Sequence, residues 1–350
     1  MRCRAPAPAD PFVPRMWCVV FALLCTCSSA LRAPVQRVRR SAVPRSAAVE
    51  APPPLTPGAA IWDWDGSAIR YSTSGAGPAV VLLHGFGSSL ETWRGNEPAL
   101  VAAGYEVHRL DFLGLGLSAK APGAYSIDRW TDQVEAYLDA FDIAEPPVLV
   151  GNSIGSLVSL NVAARRRVRG LCLCNCAGGM NSKFSGNDPS LAPAARILAA
   201  AAFGLLDAVL ALRPLASYVF DAVRNEDNVR SILSNVYVNG GRVDNLLVES
   251  TLRPADDPRA LDVFVAILTG DPGPTPADLV PETDAPIHCI WGEKDQITPL
   301  SGLTGVLFQN LERAGRCTFT RLDAGHVPHD DDVESANAAL LAWLGSIPPQ

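Results

Sequence analysis

Short apolar runs alternate with amphipathic stretches along most of the chain. The runs at residues 79–83 and 147–150 are apolar throughout, which is typical of strands buried on both faces of a parallel sheet. Apolar residues at helical spacing separate such runs, as in residues 127–141. The alternation predicts an α/β fold with a mostly parallel, twisted sheet and helices on both faces. Strands are predicted at 68–73, 79–83, 105–112, 147–150, 168–175, 286–291 and 317–322, and the clearest helices at 127–141 and 154–165.

The alternation is interrupted between residues 178 and 283. This region lacks strand-like runs, and Ala, Leu and Phe dominate it at residues 191–220. We interpret it as a helical cap, or lid, inserted into a core made of residues 60–177 and 284–347. Most of its apolar side chains are expected to form the cap's own core, and an apolar cap over a cleft favours an apolar substrate.

The first fifty residues form a leader of different composition. Residues 1–30 contain an apolar run that ends in Ser-Ser-Ala, the pattern of a signal peptide cleaved after Ala30. Residues 31–50 hold five Arg and suit an organelle transit peptide, and residues 51–59 are a Pro-rich linker. The tandem resembles the bipartite presequences of algae with secondary plastids, although Leu31 stands where an aromatic residue usually follows the cleavage site. We therefore predict a plastid location, with secretion as the alternative.

Charge separates the leader from the body of the chain. Residues 1–49 carry eight Arg and one acid, a net charge of +7, whereas the whole chain carries −7 and the remainder therefore −14. An acidic body argues against nucleic acid as a partner. The charged fraction of 19% and the hydrophobic fraction of 48% are those of a folded domain.

Nothing in the sequence indicates a metal or an organic cofactor. Five of the nine Cys lie beyond the leader, without a C-x-x-C pair, so a zinc site is not predicted. Cys172, Cys174 and Cys176 alternate along one predicted strand, which should place all three on one face as reduced thiols. Gly114 and Gly116 follow a strand but lack the third glycine of a dinucleotide site, so they are interpreted as an ordinary turn.

A candidate nucleophile lies between a predicted strand and a predicted helix. Residues 151–155 read G-N-S-I-G, and the G-x-S-x-G pattern is weak alone but strong at a strand-to-helix junction. Such a nucleophile elbow turns so tightly that Gly151 and Gly155 must be small, while Ser153 adopts a strained backbone conformation. We predict Ser153 as the nucleophile. The alternative is a glycine-rich turn that only caps a helix.

The segment H-G-F-G-S follows the strand predicted at 79–83. Acyl transfer requires two N–H donors aimed at the oxyanion of the tetrahedral intermediate. We predict that the backbone N–H groups of Phe86 and Ile154 form this oxyanion hole. His84 and Gly85 are expected to support the loop, since His84 stands too early in the chain to be the base.

The motifs WGEKD and DAGH follow the last two predicted strands. The chain order Ser, Asp, His, with one residue after each strand, is the order used with a nucleophile elbow. We predict that His326 accepts the proton of Ser153 and that Asp295 orients His326. Glu293 is the alternative acid, but Asp295 stands further past the strand end. His329 is expected to support or cap the site.

The motifs HGFG, DFLGLGLS, GNSIGS, WGEKD and AGHVPHD resemble those of the α/β-hydrolase family over residues 60–347. This resemblance implies the α/β-hydrolase fold and a serine hydrolase without metal or cofactor. The elbow, the cap stretch 235–258 and AGHVPHDD are similar to plastid and cyanobacterial hydrolases related to pheophytinase and chlorophyll dephytylase, which remove a phytyl chain from a chlorin ester. Ser156 replaces a glycine of that group, and much of residues 181–221 lacks a counterpart.

The predicted function is hydrolysis of a carboxylic ester with a bulky apolar part, with a phytyl ester of a chlorophyll derivative favoured. A lipid or galactolipid ester is the next choice, and carbon–carbon bond hydrolysis stays open because it uses the same triad. Epoxide or haloalkane hydrolysis needs a carboxylate where Ser153 stands. A ligand-binding member without activity is the non-enzymatic alternative. The expected partners are a small apolar ester and, peripherally, plastid membranes; the oligomeric state is not predicted.

Overall fold

The computed structural model describes Thr56 and residues 58–143, 145–183 and 193–347. The chain divides into two units, residues 1–57 and 58–350, and the fold is that of the second. The predicted signal peptide, transit segment and most of the linker lie outside the described residues.

One sheet of eight strands organises the described residues, in the order β1-β2-β4-β3-β5-β6-β7-β8. β2 runs antiparallel to both of its neighbours, and the remaining five pairs are parallel. The mostly parallel sheet predicted from the apolar runs is therefore confirmed. The strands are β1 (Ala60–Trp64), β2 (Ser67–Gly75), β3 (Ala79–Leu83), β4 (Glu106–Leu110), β5 (Val148–Asn152), β6 (Gly170–Cys174), β7 (Ile287–Gly292) and β8 (Thr318–Leu322).

Helices cover both faces of this sheet. Alternate residues of β3 belong to two separate apolar clusters, with Val81 and Leu83 in one and Val80 and Leu82 in the other. The first cluster includes residues of α2, α3 and α10, and the second includes residues of α1 and α12. The helices that flank the sheet are α1 (Glu97–Ala102), α2 (Ile127–Ala140), α3 (Ile154–Arg165), α10 (Leu303–Arg313), α11 (Pro328–Asp331) and α12 (Val333–Ser346).

Six helices lie between β6 and β7 in the part of the chain that the structure describes. α8 packs against both α4 and α5, and α7 packs against α6. No single helix of the described residues is long and apolar enough to cross a bilayer; Arg196–Ala211 and α5 meet that criterion only as a pair, across a bend of 98°. These helices are α4 (Pro193–Ala211), α5 (Arg213–Val223), α6 (Glu226–Val236), α7 (Asn245–Leu252), α8 (Ala260–Thr269) and α9 (Pro276–Leu279).

Two details differ from the sequence analysis. β1 was not predicted, and it pairs with β2 across a turn in which Asp65 and Gly66 both have positive φ, 49° and 74°. Cys172 and Cys174 share one apolar cluster, but Cys176 belongs to the other. The expectation of one shared face is wrong because β6 ends at Cys174 and the next residue, with a φ of 44°, turns the chain. All five described Cys are buried and free.

The sheet register brings the predicted site loops to one edge. Leu83 at the end of β3 pairs with Gly151 near the end of β5, so the loops that follow these strands emerge side by side. Gly292 pairs with Leu322 at the ends of β7 and β8. Carboxyl ends of parallel strands meet at one edge of a sheet, where open α/β sheets place their ligand sites.

The close approach of α3 to β3 gives a stability prediction. A Cβ atom on Gly155 would lie 2.2 Å from the carbonyl oxygen of Leu83, where backbone cannot yield. We expect Gly155→Ala to lower the free energy of unfolding by about 3 kcal/mol or more, measured by urea denaturation. Gly345→Ala, also in a helix but with no atom within 4 Å of its Cβ, should change it by less than about 1 kcal/mol. Equal effects would contradict this packing.

Candidate active site

Ser153 occupies the turn between β5 and α3 in a backbone conformation that side chains rarely adopt. Its φ and ψ are 55° and −118°, and a non-glycine residue held at such angles costs about 1–3 kcal/mol. Hydrogen bonds to residues 174–177 of the same chain maintain this conformation. Ser153 N–H donates to the Cys174 carbonyl at 3.0 Å, and the Ser153 carbonyl accepts from Ala177 N–H at 3.2 Å. The geometry is that of a nucleophile elbow.

The elbow leaves no space for a side chain two positions before or two positions after Ser153. A Cβ on Gly151 would lie 2.3 Å from the carbonyl carbon and oxygen of Gly155. Ser156, where the resembling group has glycine, closes the turn by donating its hydroxyl to the Gly151 carbonyl at 2.7 Å. The serine is therefore accommodated by a hydrogen bond within the elbow.

His326 and Asp295 form a buried pair at the ends of β8 and β7. His326 Nδ1 lies 2.8 Å from Asp295 Oδ2. The same carboxylate accepts from Asn175 Nδ2 at 2.5 Å, from Thr298 Oγ1 at 2.6 Å and from Ile297 N–H at 2.7 Å. A carboxylate beside Nδ1 places the ring proton there, so Nε2 is left to accept a proton.

The charge state of Asp295 follows from these contacts. Burial raises the pKa of the carboxyl, but the His326 charge and the hydrogen bonds from His326, Thr298 and Ile297 outweigh burial and lower the pKa to about 2. Asp295 is therefore ionised at neutral and mildly acidic pH. Glu293, the alternative acid, is exposed, and its side chain makes no hydrogen bond among the described residues.

Asn152, next to Ser153, bonds to the backbone of His326. Asn152 Nδ2 donates to the His326 carbonyl at 2.9 Å and to the Cys174 carbonyl at 3.2 Å. Within the described residues, the hydrogen bonds do not include one between Ser153 and His326. Catalytic hydrogen bonds are often long or absent without substrate and tighten only when it binds.

His84 fixes the loop after β3. Its Nε2 accepts from Phe112 N–H at 3.1 Å, so its proton lies on Nδ1, which donates to the Gly85 carbonyl at 2.7 Å. Burial lowers the pKa of His84 against the opposing charge of Asp111. The neutral ring therefore links the start of the loop to the backbone of Phe112.

The loop after β3 passes directly beside the nucleophile. A Cβ on Gly85 would lie 3.1 Å from Asn152 Oδ1 and 3.3 Å from Ser153 Cβ. The backbone N–H groups of Phe86 and Ile154 make no hydrogen bond within the described residues. Two free donors next to Ser153 are what an oxyanion hole requires.

A second set of contacts, not predicted from the sequence, holds the loop that carries His326. His326 N–H donates to the Val236 carbonyl at 2.8 Å. The buried Asp331 carboxylate accepts from the Gly325 N–H at 2.7 Å and from the N–H groups of residues 238–239 at 2.8 and 2.7 Å. Three of these hydrogen bonds join the end of α6 to the His326 loop, and the fourth, from Gly325, lies within that loop. The motif AGHVPHDD was the sequence signal for these residues.

Asp330 extends this connection to the core. It is fully buried and accepts from Arg94 Nε at 3.2 Å, from the Tyr237 hydroxyl at 3.0 Å and from the Arg242 guanidinium. A buried carboxylate with this many charged and polar donors is compensated for its lost hydration. We call residues 84–88 the oxyanion loop. Arg94 lies shortly after it, so Asp330 connects the segment that follows the oxyanion loop to residues 237–242 and to the His326 loop.

His329 is buried against Trp93. Its ring stacks on Trp93 at 3.7 Å between ring centres. Burial, followed by the charges of His326 and Arg242, lowers its pKa well below the usual value, so the ring is neutral. It supports the loop by packing, as the sequence analysis expected.

A cleft of about 700 Å³, including its open mouth, lies between the oxyanion loop and the inserted helices. Its walls are mostly apolar, and its two charged lining residues are Lys120 and Arg224. Ser153, Asp295 and His326 do not line it, but the oxyanion loop is shared between the cleft and the nucleophile. Representative wall residues are Phe86, Ser88, Phe220, Val223, Val263 and Phe264.

Lys120 and two glycines shape the loop after β4. The Lys120 ammonium donates to the carbonyls of Gly116 and Ser118 at 2.7 and 2.9 Å. Burial lowers its pKa to about 8. Gly114 and Gly116 have φ values of 85° and 48°, so they form a turn, as interpreted from the sequence. No group of three His, Cys, Asp or Glu among the described residues is arranged to hold a metal ion.

Comparisons of the sequence and of the fold with known proteins identify the family of this chain. The model of the Alpha/beta hydrolase family matches residues 80–339. The chain belongs to this family. The predicted α/β-hydrolase fold is confirmed, and membership supports hydrolase activity. A solved serine hydrolase involved in carbazole degradation superposes with a TM-score of 0.63 at 20% identity, covering 82% of this chain and 98% of that one; this likeness shows the fold alone.

Curated relatives of the chain carry varied names. The dihydrolipoyllysine-residue acetyltransferase component of the acetoin cleaving system from Pseudomonas putida is 33% identical over 326 residues, which cover 90% of this chain and 76% of that protein. Epoxide hydrolase B from Mycobacterium tuberculosis is 39% identical over 114 residues, covering 31% of this chain and 30% of that protein. These names describe different reactions, so the comparisons show the Alpha/beta hydrolase family, and the bond that is cleaved has to be inferred from the site.

The choice between the two candidate acids is directly testable. Asp295→Asn removes the charge that orients and stabilises His326, so kcat on an aryl ester should fall by about 10³–10⁴. Glu293→Gln, the matched control two residues away, should leave kcat within about twofold because Glu293 is exposed. A large loss in the Glu293 variant with a small one in the Asp295 variant would reverse the assignment.

The connection through Asp331 is testable by a neighbouring pair of variants. Asp331→Asn would turn an amide NH₂ towards backbone N–H donors, so we expect a loss of about 1–3 kcal/mol in the free energy of unfolding, together with a lower kcat. Asp332→Asn is the control, since Asp332 only caps α12 through the Ser335 N–H and Asn caps equally well. Two indistinguishable variants, measured by denaturation and by ester hydrolysis, would show that the connection is dispensable.

Proposed function

We propose that this chain is a serine hydrolase that cleaves a carboxylic ester of an apolar substrate through an acyl-enzyme on Ser153. One observation carries the proposal. The ionised Asp295 holds His326 in the tautomer that accepts a proton, at the sheet edge where Ser153 stands in an elbow. This combination is the apparatus of nucleophilic acyl transfer.

The reaction follows from the positions of these groups. Ser153 Oγ attacks the ester carbonyl while His326 Nε2 takes its proton, and Asp295 stabilises the imidazolium. The C–O bond to the alcohol then breaks, and the imidazolium returns the proton to the leaving oxygen. Water, deprotonated by His326, attacks the acyl-enzyme and releases the acid and free Ser153.

The oxyanion of each tetrahedral intermediate would be bound by the N–H groups of Phe86 and Ile154. Removing one such donor typically costs a factor of about 10²–10³ in kcat. Ile154 N–H is also the first donor of α3, where the helix dipole favours negative charge. The same loop and helix end therefore position and stabilise the reacting carbonyl.

We propose a phytyl ester of a chlorophyll derivative as the substrate, in a plastid. The mostly apolar walls of the cleft suit a hydrocarbon chain, because ligand sites match the polarity of what they bind. The stretch 235–258, on which the resemblance to phytyl-ester hydrolases rests, lines this cleft through Thr251, Pro254 and Ala255. It also supplies the residues that bond to the His326 loop.

Other reactions remain as outcomes of the test. Lipid and galactolipid esters would use the same cleft and triad, and carbon–carbon bond hydrolysis would differ only in the leaving group. Epoxide hydrolysis, which the name of one relative suggests, needs a carboxylate nucleophile where this chain has Ser153. A chain that only binds ligands would leave Ser153 unreactive.

The decisive experiment measures release of phytol from detergent-dispersed pheophytin a by the purified protein, with Ser153→Ala alongside. We expect phytol to accumulate with the wild-type chain and to fall by at least about 10³-fold in the variant. A water-soluble aryl ester is assayed in parallel. Aryl ester cleavage without phytol release would retain the mechanism and reject the substrate, and neither activity would reject both.

A further inference from the structure

Helix α4 is mostly apolar, with Arg196 and Asp207 as its two charged residues. Ala199, Phe203 and Leu210 are buried in the structure, and α4 packs against α8. Leu198 and Leu205 are seven residues apart, on one exposed face of α4, and Leu212, just after the helix ends, is also exposed. Exposed apolar side chains are unfavourable in water, so this stripe is a candidate contact surface for protein or lipid.

This stripe belongs to a larger exposed surface that continues across the bend into α5. Six of the thirteen exposed large hydrophobic side chains among the described residues fall between residues 197 and 218, with 44–72% of their surface exposed. Apolar patches of this kind mark interaction sites. We call it the apolar surface, formed by Ile197, Leu198, Leu205, Leu212, Leu215 and Tyr218.

The apolar surface and the cleft share one helix. Leu215 and Tyr218 of α5 are exposed, whereas Phe220 and Val223 of the same helix line the cleft. An apolar molecule dissolved at the outer face of α5 is thus one helix away from the cleft. This proximity favours, as the partner of the apolar surface, a lipid layer that contains the substrate over another protein.

We propose that the apolar surface docks the protein on the surface of a neutral or zwitterionic lipid bilayer. The 98° bend between the two helices lets both lie along a surface, and Tyr218 offers the amphipathic ring that sits well at headgroup level. The chain beyond residue 49 carries a net charge of −14, which opposes anionic lipids and leaves apolar burial as the driving force. The docking deepens the proposed function by naming where its apolar substrate is taken up.

The test is flotation of the full chain with phosphatidylcholine vesicles, in the Ser153→Ala background so that binding is separate from catalysis. Ile197→Glu with Leu205→Glu should lower the partition coefficient by about tenfold or more, because each substitution places a charge at the lipid boundary. Val306→Glu is the matched control, a half-exposed apolar residue in helix α10, and should bind like the parent. The leader is common to all these proteins and cancels in the comparison.

The outcomes separate docking from catalysis. With Ser153 restored, the double variant should hydrolyse a water-soluble aryl ester at the parent rate but a vesicle-embedded ester several-fold more slowly. Vesicle binding that is absent, or equal in the double variant and the Val306 control, overturns the proposal. The proposal is also overturned if the parent binds no vesicles and light scattering shows that it is a dimer which the double substitution dissociates. Loss of aryl ester cleavage in the wild-type chain would refute the proposed function and leave docking standing.

Discussion

The turn at residues 151–155 is the constraint on which the site depends. Ser153 can hold a positive φ only because strand β6 bonds to it on one side and α3 starts directly behind it. Positions 151 and 155 must be glycine in this turn, since a Cβ on either would overlap backbone. The elbow in turn sets the distance from β5 to the oxyanion loop and places the first N–H of α3 beside the nucleophile.

The proton-accepting half of the site is held differently. The His326 loop is secured by Asp295 from the core and by Val236 and Asp331 towards the inserted helices. Asp330 adds Arg94 and Arg242 to the same network. The end of α6 is therefore connected directly to the loop that carries His326, so a displacement of the inserted helices at that point would be transmitted to this loop.

Local patterns were sufficient to predict most of the core. Residues 79–83 and 154–165 form β3 and α3 with the predicted bounds, because continuous apolar strands and an elbow glycine leave few alternatives. The chain order Ser, Asp, His was sufficient to predict that the three side chains follow strands that end at one edge of the sheet. β1 was missed because its alternation of Trp and Asp is short and it is held only by pairing with β2.

The network around Asp330 and Asp331 could not be predicted in the same way. Arg94 and Asp330 are 236 positions apart in the chain, and no periodicity links a residue to a partner at that separation. The face of Cys176 was assigned wrongly because a single positive φ at Asn175 ends the strand alternation. Cleft walls built from loops and inserted helices likewise depend on tertiary packing, which is why the substrate is proposed from the structure and the resemblance together.

The central claim is that Ser153 is a nucleophile activated by His326. Its most direct test is to treat the protein with a fluorophosphonate and to map the adduct by peptide mass spectrometry. The serine hydrolase mechanism predicts one adduct, on Ser153, that is absent from Ser153→Ala and forms at least about 10³-fold more slowly in His326→Ala. An unmodified Ser153, or labelling that does not depend on His326, would contradict the mechanism.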